Sequence, residues 1–245
     1  MKQSSLLPLI IFILMFLWEQ VAPYGDYKDK KANFICNILI ALINTLILRL
    51  IIPIQIYQSL DQYIPNFIEF KNMPFNFLIT ILVFDMAIYW QHRFFHLNDF
   101  LFRMHKAHHT EKFLNVTSGM RFHFFELILS SLYKVFLLLV FNPSLENYLW
   151  YEAILLSFSL FNHANIKINF KLELLLSKLF ITPLIHRSHH SPKSVSMNKN
   201  FGNIFVFWDK LFKSFEIQET RTYGLSGCNY SNNFKAQILI PFKKS

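Results

Sequence analysis

The chain has 245 residues, 53% of them apolar and only 16% charged, with a formal net charge of +9. That length suits one domain, the charged share is well below that of a soluble domain, and two cysteines, Cys36 and Cys228, exclude a disulfide framework. The basic balance fits either a nucleic-acid surface or the Lys and Arg excess on the cytoplasmic face of a membrane protein, and the positions of the charges decide between them.

A helix that crosses a bilayer needs about 20 mostly apolar residues, and four to five segments approach that. Leu6–Trp18 is the shortest and weakest; read as a signal peptide it lacks a good cleavage site, because Ala22, the small residue nearby, is followed by Pro23. Ala32–Tyr57 is a clear span. Pro74–Trp90 is another and carries Asp85 within it. Phe122–Phe141 and Ser144–Phe161 read as a hairpin about the turn signal Asn142-Pro143. No repeat, linker or low-complexity stretch divides residues 1–245. The expected architecture is therefore a single all-α integral-membrane domain, a multi-pass helical bundle.

If the loop after the third span is cytoplasmic, every Lys and Arg except Lys2, Arg49, Lys71 and Lys134 falls on the cytoplasmic side. Topology thus accounts for the charge without nucleic acid. The same topology brings all 10 histidines to one face of the membrane, as a histidine-rich cap. His92 and His96 follow the inner end of span three. His105, His108 and His109 come next, His123 and His163 sit at matching depth on the hairpin, and His186, His189 and His190 lie in the tail.

Their spacing is helical. His92 and His96 are i, i+4, while His105/His108/His109 and His186/His189/His190 are each i, i+3, i+4, so each set projects from one side of its helix. Thr182 as N-cap and Pro183 in the first turn predict a short helix carrying the last set. On span three, Asp85, Tyr89, His92 and His96 fall within about one sixth of the circumference. An ionisable group inside a span needs a partner, and a carboxylate beneath a ligating imidazole would fix its tautomer.

A single interfacial histidine is ordinarily an amphipathic residue that keeps its polar tip wet. Ten together are different: neutral rings packed without a cation leave nitrogens short of donors, and protonated rings repel. Zinc accepts four ligands and octahedral ions six, so eight to ten imidazoles point to two metals. A metal transporter would instead place its ligands near the bilayer midplane, often on repeats.

The motifs H-x-x-x-H (His92, His96), H-x-x-H-H (His105, His108, His109) and H-x-x-H-H (His186, His189, His190) resemble the eight-histidine signature of the fatty acid hydroxylase/sterol desaturase superfamily. The flanking "DMAIYWQHRFFH", "NVTSGMRFHFFE", "FNHANI", "TPLIHRSHH" and "NKNFGNIFVFWDKLFKSF" agree with it, so the resemblance runs from about Asp85 to Phe215. One departure is "FKSF", where relatives usually carry a Gly-Thr pair.

The resemblance implies a membrane-bound, non-haem di-iron oxygenase that uses O₂ to hydroxylate or desaturate an unactivated C–H bond of a lipid from the bilayer. The substrate would be a fatty acyl chain, a sterol or a related lipid. It implies two iron ions, which zinc can replace in purified protein, held by the eight motif histidines, with His123 and His163 as additional ligands. Asp85, Glu126 and Asn165 are expected to support the ligands, although Glu126 is equally placed to pair with Arg121. Reducing O₂ takes four electrons, of which the substrate supplies two. With all ten histidines assigned, none is left for a fused haem, so the donor is expected to be a separate protein of cytochrome b5, ferredoxin or reductase type. The metal site is expected on the cytoplasmic face of a bacterial inner membrane, or of the endoplasmic reticulum in a eukaryote. The competing expectations are ether-lipid cleavage on the same scaffold and a non-catalytic metal- or lipid-binding membrane protein.

Overall fold

The structure, a computed structural model, describes residues 2–26, 30–51, 68–192, 194–228 and 232–242. The end of the second apolar run, residues 52–57, lies outside these. Six longer helices come first: α1 (Lys2–Val21), α2 (Lys30–Ile51), α3 (Asn76–Leu97), α4 (Asp99–His109), α5 (Phe124–Phe141) and α6 (Leu145–His163). Short helices follow: α7 (Phe170–Leu176), α8 (Pro183–His189), α9 (Ser194–Met197), α10 (Phe207–Leu211) and α11 (Phe234–Leu239). Among the described residues there is no strand, only two isolated bridges.

The helix boundaries follow local chemistry. Asn98 accepts from the backbone N–H groups of Phe100 and Leu101 and so starts α4 one residue after α3 ends. Asn142 ends α5 at φ 39° in the left-handed region, and Ser144 caps α6 by accepting from Asn147 N–H at 3.2 Å. The expected hairpin about Asn142-Pro143 is therefore present. Pro183 opens α8 as the sequence suggests, but the Thr182 hydroxyl is turned to Ser177 at 2.9 Å instead of capping. Glu173 of α7 takes over that task, accepting from Leu184 N–H at 2.7 Å.

Among the described residues, three helices are long and apolar enough to cross a membrane: α1 over Ser4–Val21, α2 over Lys30–Leu50, and α5. The first segment, weakest in the sequence, is a full-length candidate because the helix runs past Trp18 to Val21. The segments expected as spans three and five are helices too, but they carry polar groups that face inward. Thr80 and Asp85 on α3, and Ser157, Asn162 and His163 on α6, are buried.

Helix α6 is the hub, packing against α1, α3, the 3₁₀ turn Val116–Met120 and α8. Its apolar side joins Phe84 of α3, Leu138 of α5 and Ile204 through Tyr148 and Tyr151. Leu160 joins Met15 of α1 and Val116 of the turn. Gly119 lies so close to α6 that a Cβ would come within 2.6 Å of the Ser159 carbonyl oxygen, so that turn requires glycine. On α2, Asn33, Asn37 and Asn44 form a buried polar stripe that engages the region between α4 and α5, where the site is built.

Candidate metal centre

The structure brings nine of the ten histidines together in two groups. His92, His96, His105, His109 and His189 form one, and His108, His163, His186 and His190 form the other; within each, the ligand atoms lie within 4.8 Å of one another. Three helices contribute most of the rings: α3 gives two, α4 three and α8 two, while His163 ends α6 and His190 caps α8. His163 is central to the second group, its Nε2 lying 3.0 Å from that of His108 and 2.9 Å from that of His186.

The outer nitrogens are tethered to the fold. His92 Nδ1 bonds to the Phe201 carbonyl at 2.9 Å, His108 Nδ1 to Arg121 at 3.0 Å, His163 Nδ1 to Ser159 at 2.6 Å and His189 Nδ1 to Lys199 at 2.7 Å. A carbonyl oxygen only accepts, so each of these Nδ1 atoms carries the proton, and in the neutral ring each Nε2 is an unprotonated acceptor. The 3.0 Å contact between the Nε2 atoms of His108 and His163 is then a contact of two lone pairs with no proton between them. Burial disfavours the imidazolium that would relieve it: it pulls His163 down to about 4 and His189 to about 3, against the opposing pull of their carbonyl partners. His108, His186 and His190 are also held well below the ordinary imidazole value, first by burial and then by neighbouring imidazoles. Moreover, His92 Nε2, His189 Nε2 and both nitrogens of His96 are buried with no hydrogen-bond partner. A cation in each group satisfies these atoms, so the donor set fits two nitrogen-ligated metal ions.

Glu126 lies beside the first group. Its Oε1 accepts from His105 Nδ1 at 2.7 Å. Arg121, fully buried, donates to Asn37 Oδ1, Thr110 Oγ1 and the Ala107 carbonyl, with Glu111 at 4.0 Å. Asn33 and Asn37 in turn donate to Glu111 Oε1 at 2.6 and 2.7 Å. The stripe on α2 thus holds the residue whose carbonyl orients His108.

Three expected site residues lie elsewhere. His123 joins neither group: its Nδ1 accepts from Phe125 N–H, capping α5, and its Nε2 meets the Ile238 carbonyl at 3.1 Å. Both nitrogens are used, so it is a capping residue. Asp85 touches no histidine; it accepts from Ile204 N–H, Phe205 N–H and Trp208 Nε1–H and so anchors the loop before α10. Asn165 bonds through its amide to the backbone of Gly25, and its own N–H goes to Glu19, fixing the chain just after α1.

Asp209, which the sequence reading passed over, does what Asp85 was expected to do, at one remove. It accepts from Phe201 N–H, Gly202 N–H and Ser214 Oγ–H, and so holds the segment whose carbonyls orient His92 and His189. Burial raises its pKa to about 6 despite those three donors. Ser214 belongs to "FKSF": its hydroxyl keeps the bond to Asp209, while Lys213 occupies φ 59°, a conformation that favours glycine.

A cavity of about 920 Å³ ends on His92, His105, His108, His163 and His186 and runs between α3, α5 and α6.

Residues 77–214, more than half of the chain, match the family described as Fatty acid hydroxylase. Among curated proteins, the chain is 29% identical over 179 residues to the ornithine lipid hydroxylase OlsE of Rhizobium tropici, covering 70% of this chain and 52% of that protein. It is 28% identical over 157 residues to the alkylglycerol monooxygenase of Homo sapiens (63% and 34%), and 28% over 170 residues to that of Danio rerio (67% and 37%). The chain thus spans about half of the first relative and about a third of the others. No solved structure matches it.

Proposed function

Because the chain belongs to the fatty acid hydroxylase family, a family of iron-dependent oxygenases, we propose that it is a membrane-bound di-iron oxygenase that hydroxylates or desaturates a C–H bond of a lipid. The observation that supports this best is the junction of the two imidazole groups with one end of the cavity. Iron bound there would supply the redox chemistry that activates O₂. The protein's own residues hold the ligands ready. Four backbone carbonyls fix ring orientation and tautomer, and Glu126 holds the proton at His105 Nδ1, making that ring the most electron-rich donor. The apolar walls, among them Phe95, Phe122, Leu127 and Leu156, admit an alkyl chain and exclude water.

We place the centre at the cytoplasmic end of the bundle, where a separate donor protein can deliver electrons and protons while the lipid arrives from the bilayer. Similarity to two alkylglycerol monooxygenases favours a second reading, ether-lipid cleavage. It needs the same first step, because hydroxylation of the carbon beside an ether oxygen gives a hemiacetal that breaks into an aldehyde and an alcohol.

The test is expression of the wild type and His105→Ala with iron, a competent reductant and ¹⁸O₂. Lipids carrying ¹⁸O, or new double bonds, in the wild type alone support an oxygenase. Identical lipid profiles in the two strains overturn it.

A further inference from the structure

Away from the histidines, the cavity holds a pair of charges that this chemistry leaves unused. Lys134 of α5 and Glu152 of α6 both line it, and Lys134 Nζ donates to Glu152 Oε2 at 2.8 Å. Their side chains are 16% and 32% exposed. The second carboxylate oxygen, Glu152 Oε1, is buried and accepts no hydrogen bond. An ammonium offers three donors and a carboxylate about four acceptor sites, so the pair retains capacity for a further partner. Ser131 adds a hydroxyl to the same stretch of wall, while Leu127, Val135, Leu138 and Leu156 keep the remainder apolar.

Tying α5 to α6 does not explain such a pair. A partly exposed ion pair adds little stability, and ionisable groups inside a membrane segment are characteristically functional. Lys134 lies in the middle of the candidate span Phe124–Phe141. Glu126, which touches His105, lines the cavity from the same helix. At 1.5 Å per residue the two positions are about 12 Å apart along the axis.

We propose that Lys134 and Glu152 recognise a hydrogen-bonding polar group of the lipid, a hydroxyl or an amide, and that anchoring this group sets which carbon is presented to the histidines. The binding site stands on the cavity and the pair; only its consequence, the position of oxidation, rests on the oxygenase reading.

The full chain in detergent is titrated by calorimetry with two probes, stearate and 12-hydroxystearate. A hydrogen bond to a charged group predicts about tenfold tighter binding of the hydroxylated probe by the wild type. The double variant Lys134→Met/Glu152→Leu binds both probes equally. Glu152→Gln, nearly isosteric, loses most of the preference and serves should the double variant not fold. A pair that only ties the helices would shift the melting temperature and leave the ratio of affinities alone; an unchanged ratio in the variants, or no preference in the wild type, overturns the proposal. With iron, reductant and O₂, the wild type oxidises the hydroxylated probe at one carbon and the double variant at several; one unchanged position in the variant overturns the positioning role. A wild type that binds with the expected preference but yields no oxidised lipid contradicts the oxygenase reading and leaves the recognition site intact.

Discussion

Of the two imidazole groups, the one made by His108, His163, His186 and His190 is wholly buried, whereas His92 and His96 leave the five-membered group partly open. The buried group has no spare ring: four donors surround one position, and His163 approaches two of its partners. The open group has a fifth ring, and His96 is tethered at neither nitrogen. The open group also contains the ring backed by a carboxylate, His105. Rigidity and electron donation are thus divided between the groups. On the proposed reading, the first would grip its ion and the second would leave room for substrate and O₂.

The sharpest way to break this contrast is to remove one ring from each group. His163→Ala should abolish activity, a loss of more than about 100-fold, exceeding what loss of a supporting residue costs. His96→Ala should leave measurable turnover. Equal losses, measured as product formed per iron bound, would erase the distinction. Glu126→Gln keeps the shape but not the charge behind His105. It should lower activity about 10- to 100-fold while the buried group holds its iron, as read by competition with a chelator.

Acidity tests both imidazole groups in the metal-free protein. Ring pKa values pulled down to about 4 at His163 and about 3 at His189, from near 6.5 in the unfolded chain, mean that between these limits the unfolded state binds more protons. Stability is therefore full above about 6.5 and lost as pH falls through that window. Thermal unfolding in detergent between pH 7.5 and 4.5 should show the decline, and iron should move it to lower pH because bound metal resists protonation of its ligands. A flat profile would mean the rings are not held neutral. The smallest effect is expected farthest from the metals. Lys213→Gly should raise stability by about 0.5–1 kcal/mol by relieving its left-handed backbone, with activity unchanged.

The histidine sets were legible because helical spacing keeps i, i+3 and i+4 on one side whatever surrounds them. So was α8, announced by Pro183. What the sequence concealed depends on long returns of the chain. Asp85 shares a helical face with His92, and spacing alone makes it that ring's support. The loop at Ile204–Trp208 folds back onto it instead, and Asp209 inherits the task through backbone carbonyls that have no residue signature. His123 matches the depth of the other rings, but it stands at the first residue before α5, where a ring nitrogen can serve as a cap. The asparagines of α2 carry no local signal of their partners, because Glu111 and Arg121, which face them, lie far along the chain. The number of spans is harder to read for a related reason, since α3 and α6 are apolar enough to suggest crossing yet carry the polar groups that build the interior.

The account turns on two ions held by two groups, and iron stoichiometry after anaerobic reconstitution measures that most directly. Two iron atoms per chain are predicted for the wild type and one for His163→Ala, with Mössbauer spectra showing the remaining ion in a nitrogen-rich environment. One iron or fewer in the wild type, or two retained after His163 is removed, would contradict it.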